Sequence, residues 1–185
     1  MSENAISALP GAVSEGFVRV TEAGPCGMIT LRGEMARLAF ALAPLGLDIP
    51  GTRAVTQAGD KVLAWMSPDE LLLMLPYDEA PGTARALQDA LRGDFATIAN
   101  VSDARAVFTL HGAHARDVLA KLCPVDFGML AQGQIRRTRA GQVAAAIWVS
   151  GEDEMRVICF RSVAQYMFDL LTIAALPGSE PALYS

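Results

Sequence analysis

The sequence predicts a single α+β domain made of two similar strand–helix–hairpin–helix units. Residues 30–37 (TLRGEMAR) return as residues 109–116 (TLHGAHAR), each at the end of an apolar run. A Trp-Met-Ser triplet followed by Glu70 in the first half is matched by a Trp-Val-Ser triplet followed by Glu154 in the second. Each half also contains a hairpin signal and two stretches with helical spacing of apolar residues. In a chain of 185 residues each unit alone would have a thin core, so we expect both to pack as one domain.

Strands are predicted where apolar residues run between turn signals. The first hairpin turns at residues 67–70, where Pro68 suits the second position of a type I turn, and the second turns at residues 150–153. Besides the strands that lead into the two TLxG segments, the predicted strands are residues 17–21, 61–66, 71–75, 97–101, 142–149 and 155–160. Residues 144–149 are apolar at consecutive positions, which predicts that both faces of that strand are covered.

A helix is predicted after each TLxG segment, and a second helix closes each unit. Pro81 fits the first turn of the helix that closes the first unit, and Ser162 is placed to cap the last helix. The predicted core-facing positions are, helix by helix, Ala36, Ala39, Phe40 and Ala43; Ala84, Leu87 and Leu91; Ala115, Val118, Leu119 and Leu122; and Val163, Tyr166, Met167, Leu170, Leu171 and Ala174.

The composition is that of an apolar globular protein. Hydrophobic residues make up 52% of the chain and charged residues 19%, and the mean hydropathy is +0.30. This balance is the opposite of the one that favours disorder, and the net charge of −5 argues against a nucleic-acid-binding domain. The apolar stretches have strand length and the first residues show no secretory leader, so we expect a cytoplasmic protein without membrane spans. The surplus of apolar residues suggests a surface for a partner.

The predicted domain covers residues 1–185 and has a short arm at each end. Residues 17–95 form the predicted first unit and residues 96–176 the second. The arms, residues 1–16 and 177–185, are rich in small, polar, Pro and Gly residues, and we expect them to become ordered only against another surface.

Few residues could carry metal or acid–base chemistry. Cys26, Cys123 and Cys159 form no C-x-x-C pair, which argues against a zinc site or a disulfide framework and predicts reduced, buried thiols. His111 and His114 lie three residues apart near the start of a predicted helix. The sequence proposes no third ligand for them, so a structural role is favoured over metal binding.

No pattern in the sequence predicts a catalytic, cofactor-binding or metal-binding residue. The chain has no G-x-S-x-G nucleophile turn and no glycine loop for phosphates or dinucleotides. Acidic residues cluster at residues 69–70 and 152–154, where a solvated turn is the ordinary explanation.

Two features predict contact with a partner. Arg136, Arg137 and Arg139 form a basic run in an acidic chain, which favours a protein partner or a solvated strand over nucleic acid because no aromatic residues are interleaved. Trp65 and Trp148 hold matched places before the two hairpin turns. They are core or edge residues repeated with the fold, or partner contacts, or a stacking surface for a pterin ring.

The ordered set of motifs resembles a known family. The second TLxG segment is preceded by residues 101–105 (VSDAR), and further matches lie at residues 65–71 (WMSPDEL), 123–126 (CPVD) and 160–166 (FRSVAQY). The second TLxG segment and the residues 101–105 before it resemble the folate-binding aminomethyltransferase superfamily. The set as a whole is similar to the gamma-subunit family of heterotetrameric sarcosine oxidases. The likeness extends over about residues 17–175 and implies the folate-binding fold of the superfamily.

The resemblance implies a structural subunit of a bacterial complex with alpha, beta and delta subunits as partners. That complex oxidises sarcosine to glycine and passes the one-carbon unit to tetrahydrofolate; its FAD, FMN, NAD, tetrahydrofolate and zinc would be held by the other subunits. A free-standing folate-binding protein is the alternative, although the K-G-C-Y-x-G-Q signature of such relatives is absent. An enzyme that uses His111 or His114 is a third class.

Overall fold

The computed structural model describes residues 6–184, and these contain eleven strands and four α-helices. The strands are β1 (Val13–Ser14), β2 (Arg19–Glu22), β3 (Gly27–Arg32), β4 (Val55–Ala58), β5 (Lys61–Ser67), β6 (Glu70–Leu75), β7 (Thr97–Asn100), β8 (Arg105–His111), β9 (Ile135–Ala140), β10 (Val143–Gly151) and β11 (Glu154–Phe160). The helices are α1 (Met35–Leu42), α2 (Ala80–Ala90), α3 (Ala115–Ala120) and α4 (Ala164–Ala174). The strands form two antiparallel sheets, which confirms the α+β class.

The chain divides into two compact units whose boundaries differ from the predicted ones. Residues 26–102 form one, here called the central unit; residues 6–25 and 103–184 form the other, the terminal unit. The difference comes from two strands. β2, expected in the first unit, pairs with β8, and β7, expected in the second, pairs with β3. Hairpins are set by local turns, but other strands pair with whichever strand has a matching unpaired edge, even one far away in sequence.

The central unit is a five-stranded sheet in the order β4-β5-β6-β3-β7 with α1 and α2. The predicted hairpin is confirmed as β5–β6, with Leu63 opposite Leu73. α2 buries Ala84 and Leu87 as predicted, and Pro81 lies in its first turn. The core is a cluster of buried leucines from the sheet and both helices.

The predicted core face of α1 is wrong. The helix buries Leu38, Ala41 and Leu42, whereas Phe40 is 63% exposed and Ala36 faces solvent. Both stripes have helical spacing, but a buried leucine removes far more apolar area from water than an alanine does, so the leucine stripe turns toward the sheet.

The terminal unit is a six-stranded sheet in the order β1-β2-β8-β11-β10-β9 with α3 and α4. The predicted second hairpin is confirmed as β10–β11. Residues 145–149 of β10 are buried at every position, so both faces of that strand are covered, as predicted from residue 145 onward; Ala144 is exposed. Phe108 and Phe127 are among the largest fully buried side chains of its core.

The last helix begins differently from the prediction. A 3₁₀ turn, Arg161–Val163, precedes α4, and the residue at its N-cap is Val163, without a side-chain cap hydrogen bond. Ser162 therefore lies within the 3₁₀ turn and does not cap α4. The predicted apolar stripe is confirmed at Met167 and Leu171, which are buried.

The N-terminal arm lies against its own chain over its described residues, which corrects the expectation that it needs another surface. Arg161 donates hydrogen bonds to the carbonyl oxygens of Ile6 (2.9 Å) and Ser7 (3.0 Å). The amide of Phe17 donates to the carbonyl of Ala175 at 3.0 Å. Residues 1–5 lie outside the described part of the chain.

Candidate partner interface

The three arginines of the basic run lie on β9, the strand at one edge of the six-stranded sheet. Arg137 and Arg139 are two residues apart, share one face of the strand and are both exposed. Arg136 points to the other face and is partly buried; it donates to the carbonyl of Ile135 at 2.9 Å and to Oε1 of Gln134 at 3.3 Å. The structure thus separates the run into two arginines with exposed side chains, Arg137 and Arg139, and the partly buried Arg136.

An edge strand has backbone N–H and C=O groups that lie outside the sheet's hydrogen-bond ladder. β9 pairs with β10 over its whole length, Ile135–Ala140, and no second strand pairs with it among residues 6–184. Positive side chains on such an edge discourage pairing with another positive or apolar strand, and they attract an extended segment that carries carboxylates.

The two tryptophans do not occupy matched places, which corrects the sequence interpretation. Trp65 pairs with Leu71, and a bulge follows it before the turn; in the second hairpin the bulge follows Val149, and Trp148 pairs with Arg156. A shift of one residue along a strand moves a side chain to the opposite face of the sheet.

The exposure of the tryptophans follows from that shift. Trp65 packs, partly buried, on the core of the central unit. Trp148 is 3% exposed, so its side chain offers no surface to a partner or to a stacked ring. The expectation that Trp148 is an interface residue is therefore wrong.

One of the two histidines belongs to a polar cluster at the start of α3. His114 Nδ1 lies 3.0 Å from Oδ2 of Asp117, whose side chain is completely buried. Oδ1 of Asp117 accepts hydrogen bonds from the backbone amides of Leu183 (2.9 Å) and Tyr184 (3.2 Å). His111 lies apart, exposed at the end of β8.

Asp117 therefore fastens the C-terminal tail, which corrects the expectation that the tail needs another surface to become ordered. A carboxylate that accepts several hydrogen bonds satisfies lone pairs that burial would otherwise leave without partners. Lys121, one turn further on, donates to the carbonyl of Ala174 (2.8 Å) and to the hydroxyl of Ser179 (2.9 Å). No local sequence pattern signals this role, because the residues that Asp117 binds are more than 60 positions away.

The thiols have environments that disfavour reactivity. Burial raises the pKa of the Cys123 thiol to about 12 and that of Cys159 to about 11. Because the thiolate is the nucleophile and the metal ligand, this burial disfavours the reactive form of both groups. Cys26 is only partly buried. No group of three or more His, Cys, Asp or Glu side chains within residues 6–184 has a metal-binding arrangement.

An open groove of about 630 Å³ lies beside the tail in the terminal unit. Arg116 holds its shape, because one guanidinium nitrogen donates to the carbonyls of Phe127 and Leu130, each at 2.6 Å. The lining residues are Arg116, Phe127, Gly128, Met129, Leu130, Ala131 and Tyr184, none of which is a carboxylate, thiol or imidazole.

At the first hairpin turn, Asp69 is tied to its neighbours. The hydroxyl of Ser67 and the guanidinium of Arg32 donate to its carboxylate at 2.6 and 2.9 Å and hold its pKa below the usual value. This is the arrangement of a structural turn residue.

No helix in the described part of the chain has the length and apolar character that crossing a membrane requires.

The chain has an α+β fold that is similar to the fold of an aminomethyltransferase. The aminomethyltransferase T of the glycine cleavage system from Bartonella henselae superposes with a TM-score of 0.60 at 18% identity, over 81% of this chain and 44% of that one. This likeness concerns the fold alone.

The chain belongs to the sarcosine oxidase gamma subunit family, whose model matches residues 32–176. The gamma subunit of sarcosine oxidase from Corynebacterium sp. (strain U-96) is 31% identical over 137 residues, which cover 71% of this chain and 65% of that protein. A chain of the heterotetrameric sarcosine oxidase from Corynebacterium sp. U-96, solved in complex with pyrrole 2-carboxylate, superposes with a TM-score of 0.78 at 25% identity. That match covers 88% of this chain and 87% of the other.

Proposed function

We propose that this chain is the non-catalytic gamma subunit of a heterotetrameric sarcosine oxidase. The complex would oxidatively demethylate sarcosine to glycine and pass the one-carbon unit to tetrahydrofolate. The observation that carries the proposal is the family match over residues 32–176, and the superposition on a chain of a heterotetrameric sarcosine oxidase supports it.

The partners would be the alpha, beta and delta subunits in the cytoplasm. FAD, FMN, NAD, tetrahydrofolate and zinc would be held by those subunits, and this chain would supply no catalytic residue. The buried state of Cys123 and Cys159 and the engagement of His114 with Asp117 are consistent with this division of roles.

The basic edge strand is the proposed contact with one of these subunits. Arg137 and Arg139 face solvent on β9 in a chain with a net charge of −5, so an acidic segment would find here a local charge opposite to that of the chain as a whole. Arg136 would orient the strand rather than touch the partner, and the partly buried Trp65 would act through packing.

A repeat origin of the two units is part of the proposal. In each unit a strand, a helix, three further strands and a second helix follow in the same order. The amide of Gly33 donates to the carbonyl of Asp69 at 3.0 Å, and the amide of Gly112 donates to that of Asp153 at 2.9 Å. The two TLxG segments thus end on the same type of contact with a hairpin turn.

Co-purification tests the proposal. The full chain, tagged and expressed from its native source, is expected to return with a flavoprotein subunit and with sarcosine-dependent formation of hydrogen peroxide. A chain that returns alone would refute the subunit assignment. The alternative, a free-standing folate-binding protein, is tested by titrating the isolated chain with tetrahydrofolate and following the quenching of tryptophan fluorescence. Saturable binding to the isolated chain would favour a free-standing folate-binding protein.

A further inference from the structure

One face of α3 carries three polar side chains, His114, Asp117 and Lys121. His114 lies at the N-cap of the helix, Asp117 in its first turn and Lys121 at the C-cap. Side chains three and four residues apart are neighbours on a helix surface, so the three form a row. They are called the α3 clamp below, because the row contacts segments from both ends of the described chain.

The α3 clamp contacts the base of the N-terminal arm at Phe17. The ring of His114 meets the ring of Phe17 in a T-shaped pair, with 6.2 Å between the centroids and 73° between the planes. At the other end of the row, Nζ of Lys121 lies over the ring of Phe17, 5.0 Å from its centroid. T-shaped ring pairs and cations over a ring face are both attractive, because the face of an aromatic ring carries negative partial charge. Phe17 is therefore held from both ends of the clamp.

The α3 clamp also contacts the C-terminal tail. Oδ1 of Asp117 accepts hydrogen bonds from the amides of Leu183 and Tyr184. Nζ of Lys121 donates to the hydroxyl of Ser179 at 2.9 Å. The side chain of Asp117 is completely buried, and a buried charge is costly without hydrogen-bond partners. Docking of the tail supplies two of those partners.

Two members of the clamp link the arm to the tail. Lys121 contacts Phe17 and Ser179 with the same ammonium group. His114 packs on Phe17, and its Nδ1 lies 3.0 Å from Oδ2 of the Asp117 carboxylate that holds the tail. A change in the position of either linking side chain therefore acts on both segments.

The backbone of the tail is strained at Ala182. Its φ is 50°, in the left-handed region that residues other than glycine seldom adopt. Such a conformation persists only while the surrounding contacts hold it, so we expect the tail to leave Asp117 as a unit. Tyr184 leaves with it, and its ring centroid lies 6.3 Å from that of Phe127, which is completely buried and lines the groove. Detachment of the tail therefore uncovers the Phe127 ring in the groove.

We propose that the α3 clamp makes the C-terminal tail and the base of the N-terminal arm dock and detach together, as a coupled gate over Phe127. When the tail detaches, Asp117 and Lys121 lose their tail partners, and the side chains that hold Phe17 are no longer fixed in position. The coupling is reciprocal, because an interaction free energy between two events favours each of them equally. This inference concerns the chain itself and does not rest on the function proposed above.

Hydrogen exchange of the full chain, measured amide by amide by NMR, tests the coupling in both directions. Phe17→Leu keeps the apolar bulk but removes the aromatic face, so the amides of Leu183 and Tyr184 should exchange about two- to fivefold faster. Truncation after residue 182 removes the two amide donors to the clamp. The amide of Phe17, which donates to the carbonyl of Ala175 at 3.0 Å, should then exchange faster by a similar factor.

Two controls separate coupling from general loosening. Arg161→Gln removes the hydrogen bonds to the carbonyls of Ile6 and Ser7, so it frees the same arm at a point outside the clamp and should leave the tail amides unchanged. The amide of Gly33, which donates to the carbonyl of Asp69 in the central unit, should keep its exchange rate in both test variants.

Each outcome decides the proposal. Unchanged exchange at the opposite segment in both variants would show that the arm and the tail move independently, and the inference would be wrong. Acceleration in one direction alone contradicts reciprocity and also refutes it. Acceleration of the Gly33 amide by the same factor would assign the change to a loss of overall stability and overturn the coupling. If Phe17→Leu does not fold, the Phe17 amide of the truncated chain decides alone.

Discussion

Replacement of Asp117 should release the C-terminal tail and destabilise the terminal unit. The carboxylate is completely buried and accepts hydrogen bonds from the amides of Leu183 and Tyr184, while His114 contacts its other oxygen. Hydrogen bonds to a charged group contribute about 1.5–3 kcal/mol each. When the tail detaches, its freed amides bind water, which offsets part of this loss. Asp117→Ala should therefore lower the free energy of unfolding by about 2–4 kcal/mol. Asp117→Asn keeps one acceptor oxygen and should lose about 1–2 kcal/mol.

Two measurements check this expectation. Urea unfolding followed by circular dichroism gives the free energy of unfolding, and hydrogen exchange reports directly on the amides of Leu183 and Tyr184, which should lose protection in Asp117→Ala. Asp169→Asn is the matched control: Asp169 is exposed on α4 and accepts from Gln165, so its loss should cost less than about 0.5 kcal/mol.

A double-mutant cycle tests the direct link between Asp117 and the tail. Truncation after residue 182 removes the two donors, and it should cost less in Asp117→Ala than in the unchanged chain, by about 1 kcal/mol or more. Strictly additive costs, or unchanged exchange of the two amides in Asp117→Ala, would refute the assignment of Asp117 as the tail's anchor.

Three further predictions concern close packing and the thiols. A Cβ at Gly16 would overlap the backbone carbonyl at the end of α4, so Gly16→Ala should lower the free energy of unfolding by about 1–3 kcal/mol. Gly82 on α2 has open space around it, so Gly82→Ala should raise the free energy of unfolding by about 0.5–1 kcal/mol. Urea titrations measure both variants. A Gly16→Ala variant that is more stable than the unchanged chain would contradict the close packing at Gly16. In the folded chain a thiol reagent at pH 8 should modify Cys26 well before Cys123 or Cys159. Because folding raises the pKa of the two buried thiols from 9.0 to about 12 and 11, their contribution to stability is complete below pH 9 and is lost as the pH rises toward those values. A free energy of unfolding that does not fall above pH 9 would count against this burial.

The hairpins and helices were accessible from the sequence because their signals are local. The turn at residues 67–70 and the apolar runs on either side predict β5 and β6, and helical spacing predicts α2 with Ala84 and Leu87 inside. The face of α1 was not accessible in the same way. Two stripes two residues apart both satisfy the helical period, and the choice between Phe40 and Leu42 is made by the sheet beneath the helix.

The candidate interface was predictable only in part. Three arginines in four residues identified β9, but exposure separates Arg137 and Arg139 from Arg136, and that depends on which face of the strand meets the core. The place of Trp148 depends on a bulge one residue further along than in the first hairpin, and a bulge has no reliable signature in a single sequence.

Three side chains of the terminal unit that could carry chemistry are engaged or buried by the chain itself, whereas His111 is exposed at the end of β8. His114 contacts Asp117, which holds the tail amides, and burial keeps the thiols of Cys123 and Cys159 protonated. Arg137 and Arg139 on the edge strand β9 are suited to recognise a surface, since a guanidinium group does not act as a nucleophile or as a base at neutral pH. If the chain is an assembly subunit, as proposed, substitutions of these exposed arginines should weaken the affinity between subunits. They should leave the turnover of the fully assembled oxidase unchanged.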